Sequence, residues 1–308
     1  MVNLRYHVVS LIAVFLALTV GIVMGSTVVD RVTVDALNQR VTSVSKSVSN
    51  AEAENGRLSN QLRTVQDFAN QARDQIVRGR LKGVPVVVVA VSGVDRKRVD
   101  ELRQALVSSE ATVAGTLWLT AKMRLDNDND VRALAAALNV GVDRPEVLRR
   151  QALAKVGEAL AGSTDGSPNP TLAALVVSGF VTYEAPPGQA TATVPALPQG
   201  VRVVMVSGAG ADVGDDQVAL PLTQDLSQAP ARLVVAESGQ DSSGGRGVFV
   251  GLVRKDDAVA SRVSSVDNLE SPMGQAAVVL ALEDLAGSRT GHYGVGPGAQ
   301  RLVPATQT

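Results

Sequence analysis

Two histidines, five methionines and no cysteine are the whole supply of imidazole and sulfur chemistry in this 308-residue chain. Without cysteine there can be no disulfide, zinc-thiolate site, iron–sulfur cluster or thiol nucleophile. His7 stands beside an apolar run near the amino end, and His292 sits in GHYGVG. His292 could pair with Asp284 or Glu283, but no local pattern ties a serine to it, so a structural role in a glycine-rich tail is favoured over catalysis. Copper favours thiolate, thioether and imidazole. Met24, Met123, Met205 and Met273 are scattered without a short spacing, and a tight copper site within one subunit is not expected.

Two further motifs invite chemistry. SGAGADVG, from Ser207, follows a strand-like run and resembles a phosphate-cradling loop, yet Gly208, Gly210 and Gly214 miss the G-x-G-x-x-G spacing by one residue. The acidic run DNDND, Asp126 to Asp130, offers oxygen ligands for a hard cation but lacks the later bidentate glutamate of a calcium loop. It reads better as a solvated turn capping the next helix. No catalytic, cofactor-binding or metal residue is nominated, and the chain reads as a non-enzyme without a cofactor.

The elements that would position such residues are α/β in character. VPVVVVAVSG (84–93), an unbroken valine run ended by Ser-Gly, reads as a strand covered on both faces; DRKRVDELRQALVSS and ATVAGTLWLT then complete a βαβ unit. Further strands are expected at VRVVMVSG from Val201, RLVVAES from Arg232 and GVFVGLVR from Gly247. Helices are expected over Asp130 to Leu138, Pro145 to Ala161 and SPMGQAAVVLALEDLAG from Ser271. STDGSPNP from Ser163 and APPGQATATVPALPQG from Ala185 read as loops, and TLAALVVSGF fits a helix or a strand. The expected architecture is an N-terminal membrane anchor (1–29), a coiled-coil stalk (30–82) and a Rossmann-like α/β domain with a largely parallel sheet (83–305).

The anchor rests on Val8 to Val29, an uncharged run whose helix would span roughly 30 Å, the thickness of a bilayer's hydrocarbon core. A cleaved signal peptide is the rival, but its apolar region is shorter and ends in an A-x-A-like site, whereas this run continues as TVGIVMGSTVVD. Flanking charge, Arg5 before and Arg31, Arg40 and Lys46 after, favours the opposite orientation by the positive-inside count. Long domains are translocated largely regardless of such charges, so the amino end is placed in the cytoplasm and the bulk outside. Within the run, Ala13, Ala17, Gly21 and Gly25 recur every four residues. They make a flat ridge along which two membrane helices can approach closely.

From Val34 the apolar positions step by three and four: Leu37, Val41, Val44, Val48 and Ala51, then Leu58, Leu62, Val65, Ala69, Ala72 and Ile76. Asn55 takes an a position, where a buried amide sets register in a two-stranded coiled coil. Gly56 weakens the helix by about 1 kcal/mol against alanine. The competing reading is one long amphipathic helix folded back on the following domain. The period of four in the membrane and 3.5 in the stalk suit opposite crossing senses, so a joint is expected between Ser26 and Thr33, or else different partners on the two segments.

Charge adds an exclusion. Lys and Arg number 29 against 30 Asp and Glu, so no net field draws the chain to nucleic acid, and none is expected as a partner.

SLIAVFLALTVGIVMGS at the start, the heptad stalk, and VDNLESPMGQAAVVLALEDLAGSRTGHYGVGPGAQRLVP at the end together resemble the actinobacterial MctB family, named as copper transport outer-membrane proteins. The resemblance implies the envelope of a mycolate-type bacterium, with an outer-membrane location as the alternative to a single-pass inner anchor. It also implies two roles. One is cell separation, where SteB-type relatives act with a SteA-type partner on peptidoglycan hydrolases. The other is copper export, with copper as a transported ion only. The residues, poor in soft ligands, lead to a homodimeric scaffold or regulator of cell separation as the first expectation and copper export as the second.

Overall fold

The computed structural model describes residues 4–162, 167–186, 188–189, 193–228, 232–239 and 247–305, with the side chains of residue 4 and residues 26–33 left out. The chain divides into two compact units, Met1–Val65 and Gln66–Thr308.

Helix α1, Leu4–Val77, supplies the first unit and enters the second. It contains no proline to remove a backbone donor. Its first part, Arg5–Gly25, has a mean hydropathy of 2.6 and is long and apolar enough to cross a membrane. Thr19 back-bonds within this segment, its hydroxyl donating to the Phe15 carbonyl at 2.8 Å, which satisfies the hydroxyl within the helix itself. The joint expected between Ser26 and Thr33 falls on residues whose side chains are left out.

The second unit is built on a seven-stranded sheet. In chain order its elements are β1 (Pro85–Val91), α2 (Arg96–Ser108), β2 (Thr112–Leu119), α3 (Asp128–Leu138), α4 (Pro145–Leu160), α5 (Pro170–Val177), β3 (Val181–Glu184) and β4 (Arg202–Gly208), then α6 (Ala219–Leu226), β5 (Leu233–Ser238), α7 (Phe249–Lys255), α8 (Asp257–Ala260), β6 (Ser264–Val266), α9 (Pro272–Asp284) and β7 (His292–Tyr293). The strand order is β3-β2-β1-β4-β5-β6-β7. All pairs are parallel except β2 with β3. This is the doubly wound order, with its reversal between β1 and β4.

The valine runs explain the layering. Because strand side chains alternate, Val87, Val89 and Val91 of β1 enter one core with Val203, Met205 and Val235. Val86, Val88 and Ala90 enter the other with Val204, Val206 and Val234. Helices α3 to α7 cover the first face, and α2, α9 and Val77 of α1 cover the second. α9 is buried over nearly its whole surface, which suits its run of alanine, valine and leucine.

One reading resolves differently from expectation, and one that was open is decided. GVFVGLVR forms α7 instead of a strand: Phe249, Val250 and Val253 are buried at helical spacing, so tertiary packing overrides the β-propensity of its valines. TLAALVVSGF becomes α5, capped by the Asn169 side chain, which accepts from the Leu172 N–H at 2.9 Å. The acidic run caps α3 as expected: the Asn127 side chain accepts from the Asp130 N–H at 2.9 Å. Both expected loops fall partly outside the described residues.

Candidate functional site

In an open α/β sheet the ligand crevice lies beyond the carboxyl ends of the strands flanking the reversal, here after β1 and β4. The chain's own loops fill it. Ser92, just after β1, donates through its hydroxyl to Asp212 Oδ2 at 2.8 Å, and the Asp212 N–H donates to the Ser92 carbonyl at 2.6 Å. Gly93 has φ +91°, and a Cβ there would lie 2.2 Å from the Gly210 carbonyl oxygen. A Cβ cannot be accommodated without parting the two loops. Arg124 adds a donor to the Asp212 carbonyl at 3.2 Å. At the start of α2, where a phosphate would sit on a helix N-terminus, the Asp95 carboxylate already accepts from the Lys97 N–H at 3.0 Å.

Beside this closure, the SGAGADVG loop lines an open cleft of about 440 Å³ with Gly247, Val248 and Leu252. Its charged lining is acidic, from Asp215 and Asp216, which disfavours a phosphate ligand. Asp215 is buried and its Oδ1 accepts from the Ser207 hydroxyl. Burial raises the Asp215 pKa, opposed by that hydrogen bond. Glu237, at the end of β5, is also buried; burial pushes its carboxyl up to about 7, while the Val250 N–H, donating to Oε2 at 2.8 Å, pulls the other way. Nearby Asp215 and Asp267 raise the Glu237 pKa further and Arg254 lowers it.

The tail forms a third cluster. Arg254 on α7 pairs with Asp267 at 2.6 Å, both nearly sealed from solvent, and its Nε donates to the Ser265 hydroxyl at 2.9 Å. Asp267 also accepts from the N–H groups of Val295 at 2.7 Å and Gly296 at 3.0 Å. Ser265 Oγ lies 2.9 Å from His292 Nδ1. The Ser265 hydroxyl thus bridges the arginine N–H and the imidazole, and the direction of its bond to Nδ1 follows the tautomer of the ring. Burial and the Arg254 charge both lower the histidine pKa. His292 therefore meets neither of its expected partners: Asp284 pairs with Arg289, and Glu283 faces Arg80 at 3.4 Å. Ser265 is the partner that sequence reasoning missed, 27 positions away.

Soft ligands are dispersed. Met123 and Met205 are buried core residues, while Met273 is exposed in the first turn of α9. Among the described residues no group of three or more His, Cys, Asp or Glu is arranged to hold a metal ion.

The nominated packing residues all lie on α1. Gly21 and Gly25 have nothing within 4 Å of a Cβ built on them, and Ala13 and Ala17 are exposed. Leu37, Val41, Val44, Val48, Asn55, Leu58, Leu62 and Val65 are exposed as well. Ala69 and Ala72, further along the same spacing and within the second unit, are half-buried.

Residues 1–304 match the family model described as copper transport outer membrane protein, MctB. Curated relatives named copper transporter MctB include those of Mycobacterium tuberculosis and Mycobacterium bovis, each 27% identical over 319 residues, and of Mycobacterium leprae, 28% identical over 323 residues. These alignments cover 98% of this chain and 99% of each relative.

Proposed function

The chain belongs to the MctB family, and we propose that it serves in the cell envelope as a component of copper export. The observation that carries this reading is the end-to-end match to relatives named copper transporters. The arrangement we propose is a membrane anchor at 1–29, a stalk at 30–82 and an extracytoplasmic domain at 83–305. The amino end is cytoplasmic, and the outer membrane of the family's description is the alternative site. The apolar Arg5–Gly25 segment supports anchoring.

Copper is cargo on this reading, and the protein is neither an enzyme nor the holder of a resident cofactor. The scarcity of soft ligands is compatible with such a role, since a passing ion must bind weakly enough to leave. The Nδ1 of His292 is already engaged by Ser265, and Met273 is the one exposed thioether described in the α/β domain. Cell separation with a SteA-type partner has the stalk as its support, whereas the relatives this chain matches are named for copper transport, so it gives way to copper export.

Total cell copper in a deletion strain and its complemented counterpart, grown in excess copper, tests this. A several-fold rise on deletion that complementation reverses supports export; unchanged copper refutes it and returns the search to partner proteins of the outer domain.

A further inference from the structure

From Val34 to Val65 the stalk part of α1 holds its apolar seam in the open. Leu37, Val44, Leu62 and Val65 are each about 60% exposed. Along the same spacing Ala69 and Ala72 are half-buried while Ile76 is 45% exposed, and beside the seam Arg73 and Val77 are buried, just past the Val65/Gln66 division between the compact units. We propose that a second copy of this chain covers the seam, parallel and in register, as a two-stranded coiled coil that ends at Val65, where each chain's own domain takes over the helix.

A helix of this length draws most of its stability from packing an apolar face, and this stretch has little else to draw on. Among the described residues its one ion pair is Glu54 with Arg57 at 2.6 Å, both side chains more than half exposed, and a pair so exposed to solvent adds little. Gly56, with nothing within 4 Å of a Cβ built on it, weakens the helix further.

The occupant is identified by Asn55. Against an unlike apolar helix its amide would be buried without a partner; against its own counterpart at the same height, each amide donates to and accepts from the other. Two copies anchored by the same amino-terminal segment run parallel and start level, which places Asn55 opposite Asn55. Charge agrees with this pairing. In a parallel, in-register pair Glu54 at g faces the Ser59 position and Glu52 at e faces the Ser47 position, so like charges do not meet. Covering a valine or leucine removes roughly 60 Å² or more of apolar surface. Two seams over more than four heptads therefore bury on the order of 1,000 Å², the threshold for a stable association.

The natural absence of cysteine makes the test clean. In membranes carrying the full-length chain, Val44→Cys, Leu58→Cys and Val65→Cys, all at d positions, should form disulfide dimers at least tenfold more readily than Lys46→Cys on the outer face. Ala72→Cys, also at a d position by spacing, should stay monomeric. Equal cross-linking at Lys46→Cys and Val44→Cys, or none at any seam position, overturns the dimer; Ala72→Cys matching Val65→Cys overturns its end point. Register is read by co-expressing Val44→Cys and Ala51→Cys chains with different tags. The mixed disulfide should be scarce and rise several-fold with Asn55→Leu, whereas abundance in the parent overturns the register assigned to Asn55. These readouts are independent of copper.

Discussion

The guanidinium of Arg73, in the last turns of α1, donates to the side-chain carbonyl of Gln275 on α9, 202 residues away, and both residues are buried. Gln275 in turn donates to Glu101 Oε2 at 3.0 Å and to the Leu269 carbonyl at 3.2 Å. One amide thus joins α1, α2 and the start of α9 in the second unit. Gln275→Leu removes every one of these bonds and leaves a buried cation short of an acceptor, a loss of about 2–3 kcal/mol. For a domain of this size the melting temperature should fall by roughly 5–10 °C, measured by circular dichroism. Combined with Arg73→Met, the loss should be clearly less than additive, because the cation that suffers has been removed.

Glu237 makes stability depend on pH. Its folded pKa, about 7, lies above the ordinary 4.5, so the folded state holds the proton more tightly than the unfolded state does. Its contribution is fully present below about pH 4.5, declines as pH rises and is gone above about pH 7. The full span corresponds to order 3 kcal/mol. Urea midpoints between pH 4.5 and 7.5 should fall in the parent and fall less in Glu237→Gln, which keeps an acceptor for the Val250 N–H but does not ionise. Parallel slopes in the two proteins would refute this origin.

Gly93 closes the crevice between β1 and β4 because it alone tolerates both the positive φ and the Gly210 carbonyl at that distance. Gly93→Ala should destabilise the domain by more than about 3 kcal/mol, since clash and backbone strain add. Gly251→Ala is the control. It lies within α7 with open space around its Cβ, and the better helix former should leave stability unchanged or raise it by up to about 1 kcal/mol. Thermal melts of the two variants side by side distinguish a closed crevice from general sensitivity to glycine replacement.

How far the sequence reveals this molecule follows from the range of the interactions. The strands β1, β2, β4 and β5 are legible because sheets covered on both faces demand continuous apolar runs, and the caps Asn127 and Asp95 act on residues two or three positions away. β6 and β7, of three and two residues, are too short to carry a period. α7 is misread because its fold depends on Glu237 and Asp267, which receive the Val250 N–H and the Arg254 side chain. The plugged crevice is illegible for the same reason: Ser92 and Asp212 are 120 positions apart. The seam on α1 was visible in full, but that Ala69 and Ala72 are covered within the chain emerges only from the folded domain.

The membrane ridge yields the last prediction. Ala13, Ala17, Gly21 and Gly25 share one face of α1 by their spacing of four, and side chains added at Gly21 and Gly25 would meet nothing within the chain itself. If the ridge packs against its counterpart in a second copy, Gly21→Leu with Gly25→Leu separates the two backbones and removes the close dispersion contacts that stand in for hydrophobic association in lipid. Disulfide formation by Val44→Cys in membranes should then drop several-fold, although the stalk is unaltered. The same double change in detergent, where the span is solvated singly and the stalk alone holds the copies, should have less effect. Unchanged cross-linking in membranes would show that the stalk suffices and that the small residues serve another contact.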